Sequence, residues 1–321
     1  MTMRFKGMAA LLALCFGTQA AAAPSSAPFL WQVKGPLTTH YLLGSVHLLP
    51  ESANDLPDGI AEAYDEVDGV VFESDIGALS SPKSGLSLLS GAKAPNGLKG
   101  EVDAALYARV QARIAKLKVP ANLCEQYKPW FCALTLEIFA YQKSGFTGEY
   151  GLDRQLYDSA KTDGKAIAWF ESPKMHLGLF TGMDQAVSKQ LLSAEVSDNS
   201  AGADDPAELF KAWRSNDGGK IETLVMQMKA QFPLIYQHLL ADRNRSWAPR
   251  LKQFLDGADS EMIVVGAAHW FGPDGLLAQL KAEGYKVTPY VAANPDQITA
   301  MPYAPTLITA AMLAGTRAQS R

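Results

Sequence analysis

Along residues 28–291 the chain alternates short unbroken apolar runs with longer stretches of helical period. Tyr41-Leu42-Leu43, Val70-Val71-Phe72, Ile167-Ala168-Trp169-Phe170 and Met262-Ile263-Val264-Val265 are each flanked by glycine, proline or charge, the pattern of strands buried on both faces. Residues 28–33 and 39–46, joined across Gly35-Pro36, read as a hairpin, and 286–291 as a last strand. Helices are predicted at 58–66, 101–117, 129–143 and 151–162, with another from Pro173. A helical block then runs over 174–256, broken by a loop at 197–205. Residues 77–100, rich in Ser, Gly and Leu, read as an irregular connection. Strand, helix, strand is the unit of a parallel sheet with right-handed crossovers. The expected class is α/β: a mixed, largely parallel sheet over 24–292, capped by a large helical insertion at 77–162 and 174–256.

Two of the strands end alike. Tyr41-Leu42-Leu43 runs into Gly44-Ser45-Val46-His47, and Met262–Val265 runs into Gly266-Ala267-Ala268-His269. Pro57-Asp58-Gly59 and Pro273-Asp274-Gly275 then each look like the opening of a helix, and a further strand follows each. The pattern is a duplicated β-GxxH-α-β unit that brings two histidines, 222 positions apart, to one rim of a shared sheet. Glycine permits the tight turn after the strand, and small residues before the histidine leave room for a ligand near the backbone.

Composition changes the picture mainly at the ends. Arg4 and Lys6 precede an apolar run and the small residues 18–23, so 1–22 reads as a secretory signal peptide cut within Ala20-Ala21-Ala22. The run is too short to span a bilayer, and so is 307–314, the longest later one. Leu14 is too bulky for the residue before a lipoprotein Cys15. Without the leader, 27 basic residues face 33 acidic ones, which argues against nucleic acid or an anionic membrane as partner. Periplasmic or secreted location permits a disulfide, and Cys124 and Cys132 are spaced for a short staple at a helix start. Residues 293–321 read as a loosely ordered tail.

Four strands thus end in polar groups: His47, Glu73 with Asp75, Glu171, and His269. In open parallel sheets ligands sit beyond the carboxyl ends of the strands. Two imidazoles and a carboxylate suit a catalytic divalent metal, zinc included, with His47, His269 and Glu73 as ligands. Glu171 or Asp75 is available to accept a proton from a bound water or to hold a histidine's far nitrogen. Arg243, with Asn244 beside it, is placed to bind a substrate carboxylate or steady an oxyanion. His40, His176 and His238 read as structural or surface groups.

The ordered set GSVH at 44–47, FES at 72–74, KPW at 128–130, GLD at 151–153, FES at 170–172, RN at 243–244 and GAAH at 266–269 resembles the TraB/GumN family. That family includes the TIKI metalloproteases. The resemblance implies a fold distantly similar to erythromycin esterases and ChaN-type haem-binding lipoproteins, with His47, His269 and Glu73 at the active site and Arg243 and Glu171 beside them. By analogy with TIKI it implies metal-dependent proteolysis with manganese or cobalt. The expected function is an exported metal-dependent hydrolase acting on a peptide or envelope-derived substrate. The alternatives are a non-catalytic periplasmic protein that binds metal, haem or a polymer, and an esterase on the same scaffold.

Overall fold

Three of the four unbroken apolar runs become strands in the middle of a sheet, where cover on both faces buries every side chain in turn. The fourth, 167–170, takes an edge and is only partly buried. The computed structural model describes residues 27–197 and 205–292. The predicted leader, the tail and most of the 197–205 loop lie outside the described residues. Within these, the strands are β1 (Leu30–Lys34), β2 (Thr39–Ser45), β3 (Leu49–Pro50), β4 (Gly69–Ser74), β5 (Phe146–Thr147), β6 (Ala166–Glu171), β7 (Glu261–Gly266) and β8 (Val287–Pro289). Six of them form one sheet in the order β6-β4-β7-β2-β1-β8. β6, β4, β7 and β2 run parallel, while β1 is antiparallel to both β2 and β8. The fold is α/β with a mostly parallel sheet, as the pattern predicts.

The last long strand in sequence therefore lies at the centre. β7 inserts between β4 and β2, with Tyr41 level with Met262 and Ser45 level with Gly266. Strands whose carboxyl ends carry the two GxxH segments become immediate neighbours, and the rim has His47, Glu73, Glu171 and His269 within four adjacent strands.

Each face of the sheet has its own core. On one, Leu43, Phe72 and Val264 pack with Ile60 and Tyr64 from the helix Asp58–Asp65 and with Leu156 and Ala160 from the helix Leu152–Asp163. On the other, Leu42, Val71 and Ile263 meet Trp247, Leu251 and Leu255 of the helix Asp242–Leu255 and Leu276 and Leu280 of the helix Leu276–Ala282. A third cluster lies off the sheet, where Val110 and Ile114 pack with Leu136 and, from the second helical block, Leu192. The two predicted insertions thus share a core of their own.

Three expectations change. Residues 77–100 are not irregular: Ile76–Leu79, Pro82–Ala92 and Gly97–Glu101 are helical, the first two capped by Asp75 and Ser81. Ser and Gly lower helix propensity, but caps and the packing of Ala92 and Leu98 override it. The two Pro-Asp-Gly segments differ as well: Asp58 is the first residue of its helix, whereas the second helix starts only after Gly275. From β2 to β4 the chain passes over β7 alone, but from β7 to β8 it passes over both β2 and β1. A helix and a strand follow each GxxH strand, but the histidine turns, helix starts and crossovers differ: Ala267–Trp270 forms a 3-10 turn, whereas His47 lies outside any helix or strand.

Cys124 and Cys132 are bonded, with Cα atoms 5.2 Å apart, at the start of the helix Pro129–Lys143. No helix among the described residues is long and apolar enough to cross a membrane. Replacing both cysteines by alanine should cost about 2–3 kcal/mol of stability, the value expected from loop closure over so short a segment. Thermal unfolding of the variant, compared with the parent under oxidising and reducing conditions, measures it; equal melting in all cases refutes a stabilising bridge.

Candidate functional site

His47 lies two residues past β2, in a loop that would be free to wander were it not tied down. β3 pairs with β5, Leu49 level with Thr147, and the Leu152 amide donates to the Val46 carbonyl at 2.9 Å. A Cβ on Gly151 would stand 2.3 Å from the His47 carbonyl oxygen, so only glycine permits this approach. The clamp places Asp153 opposite the imidazole, with Oδ2 3.1 Å from His47 Nδ1. Asp153, first among the causes, pushes His47 up to about 9 against the pull of burial. The ring keeps an open side, its side chain 58% exposed.

His269 is held in the opposite way. After β7 the chain makes a tight turn over Ala267–Trp270, and Trp270 Nε1 donates to the Leu43 carbonyl. Asn244 Nδ2 donates to the carbonyls of His269 and Asp274 at 3.1 and 2.9 Å, which leaves its Oδ1 facing His269 Nδ1 at 2.6 Å. An acceptor there requires the proton on Nδ1, so the Nε2 lone pair is directed to the rim. Burial pushes His269 down to about 3, and the ring is neutral.

Glu73 stands between the two. Its Oε1 is 3.9 Å from His47 Nε2 and 3.8 Å from His269 Nε2, and accepts the Gly266 amide at 2.8 Å. A Cβ on Gly266 would sit 3.3 Å from that oxygen and 3.4 Å from His47 Nε2. The glycine of the second GxxH thus keeps open the space where three polar groups converge.

Arg243 ties this cluster to β6. It is buried, and its Nη2 donates to Glu73 Oε2 at 2.6 Å while Nε and Nη2 reach Glu171 Oε1 and Oε2 at 2.7 and 3.1 Å. Nη1 lies 3.2 Å from His269 Nε2, and the guanidinium stacks 4.5 Å from the Trp247 ring. A π-helical turn over Gln237–Ala241 immediately precedes this helix, a local widening of a kind often seen at functional sites. Glu171 is bonded further by Trp247 Nε1 at 3.0 Å and His176 Nδ1 at 2.8 Å. Burial by itself would raise both carboxyls. Arg243, helped by the protonated His47, outweighs it and holds Glu73 well below the usual carboxylate range; bonds from His176 and Arg243 lower Glu171.

Of the groups the sequence singles out, His47, His269, Glu73, Glu171, Arg243 and Asn244 meet at this rim. Asp75 is turned away to cap the helix Ile76–Leu79, with Oδ1 accepting from the Ala78 amide and the Tyr157 hydroxyl. The far nitrogens are held instead by Asp153 and Asn244. Asp153 reads in sequence as a plain helix opening, and His176 as a structural group in a helix; both line a cavity of about 200 Å³ beside Glu73. His40 is buried in β2, and His238 contacts the Leu179 carbonyl.

Two donors about 2.1 Å from a shared ion stand about 3–4 Å apart, so the spacing of both imidazole nitrogens from Glu73 Oε1 fits a metal. Each has its other ring nitrogen anchored, as metal-binding histidines do. Among the described residues, however, no group of three or more His, Cys, Asp or Glu closes on a common point as a metal centre. Arg243 Nη1 lies 3.2 Å from His269 Nε2 and takes up its lone pair.

The fold and rim define an α/β protein with a polar site at the carboxyl ends of parallel strands. The chain belongs to the TraB/PrgY/gumN family, whose model matches residues 29–289. Among its relatives is "Uncharacterized protein YbaP" of Escherichia coli (strain K12), 21% identical over 242 residues that cover 75% of this chain and 87% of the relative. The protein of the same name from Shigella flexneri matches to the same extent. No solved structure matches the chain.

Removing Arg243 leaves two buried carboxylates without their cation, so Arg243→Met should cost about 3–5 kcal/mol at pH 7 in urea unfolding. The sign with pH follows from the depressed carboxyls. Their contribution is full above the unfolded value near ~4.3 and is lost as pH falls towards the folded ones. In the variant both carboxyls protonate more readily, so its deficit should shrink as pH falls to 4. A deficit that is constant from pH 7 to pH 4 contradicts this account.

Proposed function

We propose that the chain is an exported metal-dependent hydrolase, most simply a peptidase, with His47, His269 and Glu73 as the groups that hold a divalent ion. One observation carries the reading: two imidazoles from separate strand ends bring Nε2 within 4 Å of a single Glu73 oxygen, while Asp153 and Asn244 fix their Nδ1 atoms. A divalent ion there supplies Lewis acidity and lowers the pKa of a bound water. His269 already has the neutral tautomer a ligand needs. His47 must give up its proton first, so uptake strengthens as pH rises. Arg243 bonds His269 Nε2 and Glu73, so a bound ion would have to share these groups with it, and its buried charge would suit a developing oxyanion. Manganese or cobalt is the metal suggested by the family likeness, with zinc as the third choice. The leader at 1–22 supports export.

A second reading, a non-catalytic periplasmic protein that binds metal, haem or a polymer, is favoured by one feature. Both Glu171 oxygens are fully engaged and Asp75 is a helix cap, so neither is free as a base. An esterase on the same scaffold would use the same ligands with a different substrate.

Metal analysis of the purified protein beside His47→Ala and His269→Ala tests the proposal. About one equivalent of bound manganese, cobalt or zinc is expected in the parent, with at least tenfold loss in either variant, and metal-stimulated cleavage of a peptide library by the parent alone. Metal retained by both variants, or absent from all three, removes the basis of the hydrolase. Metal binding without turnover of peptides or esters favours the second reading.

A further inference from the structure

Ser45 and Ser74, which the site as described does not use, are among the residues lining the cavity beside Glu73. Ser45 and Ser74 are 3% and 2% exposed, and both Oγ atoms lack a hydrogen-bond partner. Such a group is seldom left so in a folded interior. Their placement follows from the register. Ser45 on β2 lies level with Gly266 on β7, and Phe72 on β4 lies level with Val264. Two residues on, Ser74 comes level with Gly266 from the other side, on the same face. The two hydroxyls therefore flank the bare glycine on which His47, Glu73 and His269 converge.

One side of the cavity is apolar, while His47, Glu73, Ser80, Asp153 and His176 line the rest. Phe72, Val264, Ile76 and Leu79 line the cavity together with Ser45 and Ser74. At about 200 Å³ it is smaller than the ~300–1,000 Å³ of sites for drug-sized ligands and has room for one residue. The charged groups in its lining are paired, His47 with Asp153 and Glu73 with Arg243. A hydroxyl both donates and accepts, which matches a peptide amide, with its one donor and one acceptor.

We propose, resting on the peptidase reading above, that this cavity is a substrate subsite for one uncharged, apolar residue next to the scissile amide. Ser45 and Ser74 bond the residue's amide group, and Phe72, Ile76, Leu79 and Val264 surround its side chain. The subsite selects peptides with an aliphatic residue at that position and disfavours those with lysine, glutamate or a sugar there.

Methyl NMR of the chain labelled at Ile, Leu and Val tests this without turnover. N-acetyl-leucine N-methylamide should shift the Ile76, Leu79 and Val264 methyls saturably, with a dissociation constant on the order of 1 mM for so small a ligand. The corresponding lysine and glutamate amides and methyl glucoside should bind at least tenfold more weakly. The Ser45→Ala/Ser74→Ala double variant should weaken the leucine probe about tenfold, and Leu79→Trp, which fills the cavity from another wall, should abolish its binding. His269→Ala should lose metal yet keep the probe, so failure of the metal reading and of the subsite register separately. Absence of saturable shifts, unchanged binding by the double variant, or tighter binding of a charged or sugar probe overturns the proposal.

Discussion

Arg243 is the residue on which the rim depends. One buried guanidinium bonds a carboxylate from β4, another from β6 and an imidazole from the turn after β7, and it rests on Trp247 of its own helix. Taking three charges out of water is expensive, and the expense is met only where each donor and acceptor finds a partner in good geometry. The two carboxylates and the cation meet that condition. The ends of three strands are consequently held in fixed relation, and the helix Asp242–Leu255 is keyed to the sheet by charge as well as by its apolar side.

That arrangement needs β7 at the centre of the sheet. A strand beginning at Glu261 must find its place between two laid down before residue 75, so the site is assembled only when pairings about two hundred residues apart in sequence close. Neighbouring segments then lock the two histidines by different means. A backbone clamp through Gly151 delivers Asp153 to His47, and a side-chain amide holds His269. The outcome is one imidazole drawn towards its protonated form and one kept neutral, a few ångströms from the same oxygen. This asymmetry comes from surroundings alone, since the two motifs are spelled alike.

Much of the rim is legible in the chain. A strand ending in Gly-x-x-His, repeated, points to His47 and His269, and polar ends on two further apolar runs point to Glu73 and Glu171. Other parts are not. Asp153 looks like an ordinary acidic residue near a helix start, because nothing local says that the loop after β2 pairs with residues 146 and 147. His176 carries a local signal: it stands in the first turns of a helix that opens directly from the rim at Ser172, which keeps it close to Glu171. Asp75 shows the reverse, a carboxylate at a strand end that is spent on a helix cap and a tyrosine.

Local periodicity determined by itself where the strands of the six-stranded sheet and most helices lie, since the spacing of apolar residues states how much of each segment must be buried. It also carried the chemistry at the strand ends, because a strand in a parallel sheet delivers its last residues to a common rim. Which strand neighbours which, and which side chain answers which, was decided only in the tertiary structure. Apolar runs are nearly interchangeable as partners, so their order follows from the packing of the whole molecule, and a hydrogen bond between Asn244 and His269 or Arg243 and Glu73 exists only after that packing has brought them within reach.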